Sequence, residues 1–586
     1  MHSSKFSHGN RLGCTMLIVL WLTSGTICAA ARPEDNAPPV APAAKPNAIA
    51  ERPNIVFAFA DDWGRHAGAY AAIEPGGMND IVQTPNFDAL AKDGVLFTNA
   101  FVSAPSCTPC RSSLLSGRHF WQCGRASILQ GAIWDGSIAS YPLLLEDAGY
   151  RIGYTYKVWS PGSPADAPHG TRAQSFHKRG RNMNRFSQFV SSKMAAARNA
   201  DGEASVDAAK AAAIETIMDQ VRGNVRDFLQ SKTSKKQTAA ASATEQEQPF
   251  CYFYGPTNCH RTWTAGSGKR IWGLNPDDLK GRVPGFLPDT PTVREDIADY
   301  FGEAAAFDLS LGVLIEELKR AGQWDNTILV VSGDHGMPGV THGKCTMYGF
   351  GTAVPLMVHW PAGIPHPGRI VDDFVSLPDL APTFLDAAGV AIPKAMSASS
   401  ILPLLKSEKS GVIDTERDAV FIGRERHVGN ARTDSLPYPQ RAIRTSDHLF
   451  VINFKPDRWP MGIAPGFGLP DGPMPSASAL NASTFAAFAD MDASPTRTEI
   501  ILNRSQSPAL FHYAFGRLPK HELYDLKNDP QCLNNIAGIA SNAALEQSLK
   551  ERLLNELEET NDPRLSENSV YDQSPYADRI PPKKKK

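Results

Sequence analysis

Apolar residues fall into two kinds of run along this chain, and their order predicts the fold. Asn54–Ala60 (NIVFAFA) is almost continuously apolar, the pattern of a strand buried on both faces of a sheet. Ile152–Tyr156, Phe250–Tyr254 and Thr327–Ser332 (TILVVS) repeat that pattern. Between the last two, Ile297, Tyr300, Phe301, Ala304, Leu311, Leu314 and Leu318 recur at mostly three- and four-residue steps. That spacing predicts a long helix, with Gly322 placed where it would stop. A further helix is predicted over Leu377–Ala388. Buried strands alternating with helices predict an α/β region built on a mostly parallel sheet flanked by helices. The pattern weakens at Ser407–Val412. Beyond it, Ala419–Ile422, Arg441–Arg444 and His448–Asn453 read as short strands, and residues 543–558 as a charged helix. A smaller C-terminal α+β region with an antiparallel sheet is therefore expected. The organisation read from these patterns is a main region over 52–410, an α+β subdomain over 411–565 and a disordered tail over 566–586.

The N-terminus reads as a secretory signal over 1–31. Lys5 and Arg11 precede an apolar run from Met16 to Leu22, and Cys28–Ala31 offers small residues for cleavage. A membrane anchor is the alternative, but the run is short for a bilayer span. Residues 32–51 are Ala/Pro-rich and read as a disordered lead-in. The expected destination is secreted or periplasmic, or lysosomal in a eukaryote, with no stable membrane span once the signal is removed.

Composition adds little to this picture. At 586 residues the chain exceeds one ordinary core, and 42% hydrophobic with 20% charged residues is a globular balance. A net charge of −2 gives no reason to expect a nucleic-acid partner, so an anionic substrate must be held by local cations. Of nine cysteines, Cys14 and Cys28 leave with the signal, and an odd remainder suggests one with a separate task. No zinc-like pairing of cysteines and histidines is present.

In open α/β sheets ligands bind beyond the carboxyl ends of the strands. The first predicted strand runs into Asp61-Asp62, and the one beginning at Thr327 into Gly333-Asp334-His335-Gly336. The strand near Ile152 leads to Lys157, and the one near Phe250 to Asn258 and His260. Like charges ~4 Å apart at an effective dielectric near 20 repel by roughly 4 kcal/mol, so adjacent buried aspartates call for a cation. Clustered carboxylate oxygens favour a hard ion such as calcium. Taken alone, Asp61-Asp62 would more simply be a helix cap and a solvated acid; the second acidic strand end tips the balance. In Ser106-Cys107-Thr108-Pro109-Cys110-Arg111, Pro109 suits a first helical position, which would set Cys107 just before a helix N-terminus. Spacing alone also allows a Cys107–Cys110 disulfide.

The run C-x-P-x-R followed by Leu114-Leu115-Ser116-Gly117-Arg118 resembles the signature of formylglycine-dependent sulfatases. Asn54–Gly64, the SGDHG segment and His521–Asn535 (HELYDLKNDPQCLNN) resemble further landmarks of that family in the same order. The resemblance implies an alkaline-phosphatase-like α/β domain with a smaller C-terminal domain. It implies that Cys107 is oxidised to formylglycine by a formylglycine-generating enzyme. Asp61, Asp62, Asp334 and His335 match the ligands of one Ca2+ ion, completed by residue 107. Arg111 matches the residue that orients the formylglycine, and Lys157, His260 and Lys344 those that hold the sulfate. The implied chemistry is attack on sulfur by one hydroxyl of the hydrated aldehyde, after which the other hydroxyl loses its proton and sulfate is expelled. Trp159 stands where the family commonly has a histidine for that second step, which leaves His66 or His342 as candidates.

Asn258–Arg261, Gly351–Val358 and Tyr438–Ile443 resemble the heparan N-sulfatase (sulfamidase) branch. The substrate so implied is a sulfated sugar or glycan, such as one bearing N-sulfoglucosamine. The alternatives are O-sulfate hydrolysis on another polysaccharide or an aryl sulfate, a phosphodiesterase or phosphonate hydrolase, and a non-catalytic sulfated-glycan binder. The cation-rich Gly423–Arg432 is expected to border the cleft.

Overall fold

Seven strands build the central sheet: β1 (Asn54–Ala60), β2 (Val95–Phe97), β3 (Arg151–Tyr156), β4 (Phe250–Gly255), β5 (Thr327–Gly333), β6 (Leu356–His359) and β7 (Arg369–Val371). Their order across the sheet is β3-β4-β1-β5-β6-β2-β7. The pairings are parallel except where β6 meets β5 and β2, so β6 alone runs backwards. The computed structural model describes residues 52–170, 174–231, 248–465, 468–469 and 473–580. The expected signal and lead-in, over 1–51, lie outside them.

The apolar run of β1 has a direct physical reason. Val56, Ala58 and Ala60 enter one core, while Ile55, Phe57 and Phe59 enter another on the opposite face of the sheet. A strand flanked by two others and covered on both faces has no side left for polar residues. On one face lie α1 (Cys107–Ser116) and, further along the chain, the helix Leu380–Ala387. The other face is covered by α2 (Phe186–Asp201), α3 (Val206–Leu229) and α4 (Pro291–Arg320). The helix expected around Ile297–Leu318 is α4. Pro291 occupies its first turn, and the Thr290 hydroxyl accepts from the Val293 N–H at 3.4 Å.

A second sheet follows, antiparallel throughout: β8 (Ala419–Arg424), β9 (Gln440–Thr445), β10 (His448–Asn453) and β11 (His521–Asp525), in that order. Leu549, Leu553 and Leu557 of α5 (Ala543–Glu559) pack on Ile443, Phe450 and Ile452 of this sheet. The fold is thus the alkaline-phosphatase-like arrangement expected, with its smaller C-terminal sheet.

Two expectations are corrected and one open alternative is closed. The tail is ordered as far as 580: Tyr571 is buried with its hydroxyl donating to the Trp121 carbonyl at 3.2 Å, and Arg426 donates to the Asp578 carbonyl. Residues 581–586 lie outside the described residues. Helix α1 begins at Cys107 itself, with Pro109 as its third residue, because Ser106 already adopts the extended capping conformation (φ −156°, ψ 131°). Cys107 and Cys110 form no disulfide, and all seven described cysteines are free and buried. Among the described residues no helix is long and apolar enough to cross a membrane.

Candidate active site

The carboxyl ends of β1, β3, β4 and β5 open on one rim, and α1 brings its first residue to the same place. Asp61 and Asp62 leave β1 in a sharp turn, with Asp62 at a φ of 62°, a left-handed conformation that aspartate tolerates. The Tyr300 hydroxyl holds this turn, donating to the Asp62 carbonyl at 3.0 Å and accepting from the Gly64 N–H at 2.9 Å. The Asp62 N–H donates to Asp334 Oδ1 at 2.7 Å, tying the end of β1 to the end of β5. Gly333 is required there, since a Cβ would stand 1.9 Å from the Trp63 carbonyl oxygen.

All nine residues singled out from the sequence meet at this rim. The Cys107 sulfur lies 3.4 Å from His335 Nε2 and 3.6 Å from Asp62 Oδ1. His335 Nε2 is 3.2 Å from Asp62 Oδ1 and 3.6 Å from Asp334 Oδ1. Arg111 bridges two acids, Nε to Asp334 Oδ2 at 2.9 Å and Nη2 to Asp61 Oδ1 at 3.0 Å. Its Nη1 donates to the Lys157 and Val158 carbonyls, so its donors are spent within the protein. Lys157 Nζ contacts Asp61 Oδ1 at 2.5 Å, and Lys344 Nζ contacts Asp62 Oδ2 at 2.9 Å. His260 Nε2 stands 3.9 Å from Asp62 Oδ2, while its Nδ1 pairs with the Arg261 carbonyl at 2.6 Å. With its side chain 36% exposed, His260 marks the open side of the site.

The electrostatics follow from burial against these pairings. Burial raises the carboxyl of Asp61, but Lys157 and Arg111 outweigh it and hold the group well below the usual range. Burial likewise opposes ionisation of Asp62, and Lys344 reverses it to a lowered value. For Asp334 burial prevails over His335 and Arg111, and the carboxyl is pushed up. Burial and then Asp61 push the Cys107 thiol well above its ordinary value, so the unmodified side chain stays a thiol.

This donor set suits a hard cation. Asp62, Asp334, His335 and Cys107 offer one atom each within 4.8 Å of one another, and Asp61, Asp62 and His260 form a second such group through the shared Asp62. Carboxylates supply two of the four donors in the first group and two of the three in the second, which favours a hard ion such as calcium.

Trp159 faces away from this chemistry. Its indole N–H donates to the Ser112 hydroxyl at 2.8 Å inside the core. His66 and His342 line a different cavity, packed against Phe350 and Tyr348 respectively. Two residues at the site escaped the sequence reading. Asp492 Oδ2 lies 3.3 Å from Lys344 Nζ, and His427 Nδ1 pairs with the Ser106 hydroxyl at 2.8 Å, one residue before Cys107. His427 falls within the cation-rich segment expected at the cleft, whereas nothing around Asp492 signals its role. Two arginines of that segment, Arg424 and Arg432, pair with the buried Asp490, while Arg426 donates to the Gln130 and Asp578 carbonyls.

The sulfatase family model matches residues 53–390. Over 552 residues the chain is 27% identical to N-sulphoglucosamine sulphohydrolase of Homo sapiens, covering 87% of this chain and 91% of that protein. An ulvan-active sulfatase of Formosa agariphila is 25% identical over 516 residues, 88% of this chain and 80% of its own. Among solved structures, one determined in complex with its substrate D-glucosamine-2-N,6-O-disulfate superposes with a TM-score of 0.53. That likeness, at 19% identity, covers 89% of this chain and all (100%) of the other.

Proposed function

The chain belongs to the sulfatase family of sulfuric ester or sulfamate hydrolases, and on that premise we propose that it removes sulfate from a sulfated amino sugar, N-sulfoglucosamine first among them. The observation that carries this reading is the convergence of Asp61, Asp62, Asp334, His335, Lys157, Lys344 and His260 around residue 107. The likeness to the human sulphohydrolase along nearly the whole of both chains supports the N-sulfated substrate. The likeness to the ulvan-active sulfatase favours O-sulfated polysaccharide as the second reading.

In this reading residue 107 would be formylglycine, which would supply the oxygen nucleophile for sulfur and the means of releasing the sulfate. Asp61, Asp62, Asp334 and His335 would hold a calcium ion. With Asp492 on Lys344, the acids of the site outnumber its lysines and arginine, so a dication supplies the positive excess that an anionic sulfuryl group needs. Arg111, spent on Asp61, Asp334 and two carbonyls, orients those acids rather than touching substrate. Lys157 and Lys344 offset charge on the sulfuryl oxygens as it builds. His260 stands on the open side, where the leaving group departs. Its Nδ1–H is engaged by the Arg261 carbonyl, so it is the protonated ring, through its Nε2–H, that can pass a proton to the leaving nitrogen or oxygen and be left neutral. The partners of this reading are the glycan and the formylglycine-generating enzyme, and the pattern of residues 1–31 supports export.

The test is sulfate release by wild type and Cys107→Ala offered N-sulfoglucosamine, O-sulfated sugars and a phosphonate monoester. Peptide mass first establishes formylglycine at residue 107. Release from the N-sulfated sugar, lost in the variant, is the expected result. Release confined to O-sulfated sugars moves the substrate, and turnover of the phosphonate alone would sink the reading.

A further inference from the structure

Away from residue 107, a cavity of about 710 Å3 opens between the loop after β1, the Tyr348–Ala353 segment and the C-terminal sheet. None of the nine site residues lines it. Its walls carry the guanidiniums of Arg65, Arg282 and Arg444 beside the aromatic side chains of Phe101, Phe286 and Phe350. Two of these arginines are already matched. Arg65 pairs with Glu74 and Arg282 with Asp80, each at 2.5 Å.

Arg444, on β9, is not matched. Its Nε and Nη1 are closed off from solvent and have no hydrogen-bond partner, and no other arginine among the described residues has two such nitrogens. The guanidinium lies over the Phe101 ring, 4.8 Å from its centroid. Burial pulls its pKa down to about 10, opposed by Cys532 and by Glu74 across the cavity and reinforced by Arg65. A guanidinium partly withdrawn from water, with no ion-pair partner among the described residues, carries a cost that a bound anion removes. Guanidinium is matched to sulfate and carboxylate oxygens, and aromatic walls provide apolar faces for a ring.

We propose that this cavity is a second anion-binding site, separate from the Cys107 cluster, which takes a sulfated or carboxylated sugar residue with its oxyanion on Arg444. The site stands independently of the activity proposed above, because its occupancy can be read with residue 107 replaced.

Crystals of the full Cys107→Ala chain soaked in sodium selenate are expected to show anomalous selenium within hydrogen-bond distance of Arg444. Selenium at Lys157 and Lys344 alone would overturn the proposal. By calorimetry on the same chain, a sulfated disaccharide is expected to fill a site whose affinity falls about tenfold in Arg444→Gln, the scale of one charge-assisted hydrogen bond. Arg444→Lys should retain part of that affinity, and its melting temperature controls for folding. Sulfate release from a monosaccharide by matured Arg444→Gln should match wild type. Unchanged disaccharide affinity in both Arg444 variants overturns the saccharide assignment, even where inorganic selenate still binds.

Discussion

Two buried ionic clusters, one at residue 107 and one in the C-terminal region, show that burying charge does not by itself make a reactive site. In the C-terminal cluster Arg441 donates to Asp562 through Nε at 2.5 Å and Nη2 at 3.0 Å, and to Glu425 at 3.0 Å. Arg564 in turn joins Glu425 to Asp572. The planar forks of two arginines meet the carboxylates edge to edge, and the side chains of Arg441, Glu425 and Asp562 are fully closed off. Around residue 107 the acids instead crowd one another: Asp61 and Asp62 are neighbours, and Asp334 touches both the Asp62 amide and Arg111. Their cations include two lysines, point charges that can turn toward a new anion, and one side lies open at His260. The first cluster spends its donors on its own acids and on the Arg424 and Gln440 carbonyls; the second keeps some for a visitor.

The largest effect expected from this contrast is in Asp334→Asn. It removes a carboxylate charge that burial and the neighbouring Asp61 disfavour, so the melting temperature should hold or rise. The kcat/KM should fall by roughly a thousandfold, since a metal ligand governs several kcal/mol of transition-state stabilisation. A large loss of stability there would erase the distinction between the clusters. The converse change is Glu425→Gln, which leaves Arg441 and Arg564 short of an anion. Denaturant unfolding should show a loss of about 3–5 kcal/mol, with turnover per folded molecule unchanged. A smaller effect concerns a buried group belonging to neither cluster. Burial lowers the His169 pKa from 6.5 to about 4, so folded and unfolded states bind protons equally above pH 6.5. Between there and about 4 the unfolded chain takes up a proton that the folded chain refuses, and stability falls as pH falls. His169→Gln should flatten that decline by about 1.4 kcal/mol per pH unit, as measured by unfolding at stepped pH. An unchanged slope would mean that His169 titrates alike in both states.

The strands that position the site are legible because burial on both faces leaves only one kind of sequence. Asp61, Asp62, Asp334 and His335 are legible in turn because polar residues closing such a run must face the rim. Other parts carry no comparable signal. Strand β11 has no strand pattern of its own, because three of its five residues are charged or polar (His521, Glu522 and Asp525) and its pairing lies with distant β10. Reversed β6 is four residues long, too short for any periodicity. Asp492 and His427 come from loops, and only tertiary packing brings them to Lys344 and Ser106. The tail is held by Tyr571 and by the Arg564–Asp572 pair, contacts that its polar composition conceals.

All ten residues of α1 are buried, and Cys107 retains 3% of its exposure. On the proposed reading, that packing sets a timetable for biogenesis. A converting enzyme must grip the segment around Cys107 as extended chain, which the finished molecule no longer offers. Oxidation and folding therefore compete for the same nascent polypeptide, and a chain that folds first is sealed permanently as the thiol. The specific activity of a preparation then records the outcome of that race in the cell that made it, in addition to the quality of the site.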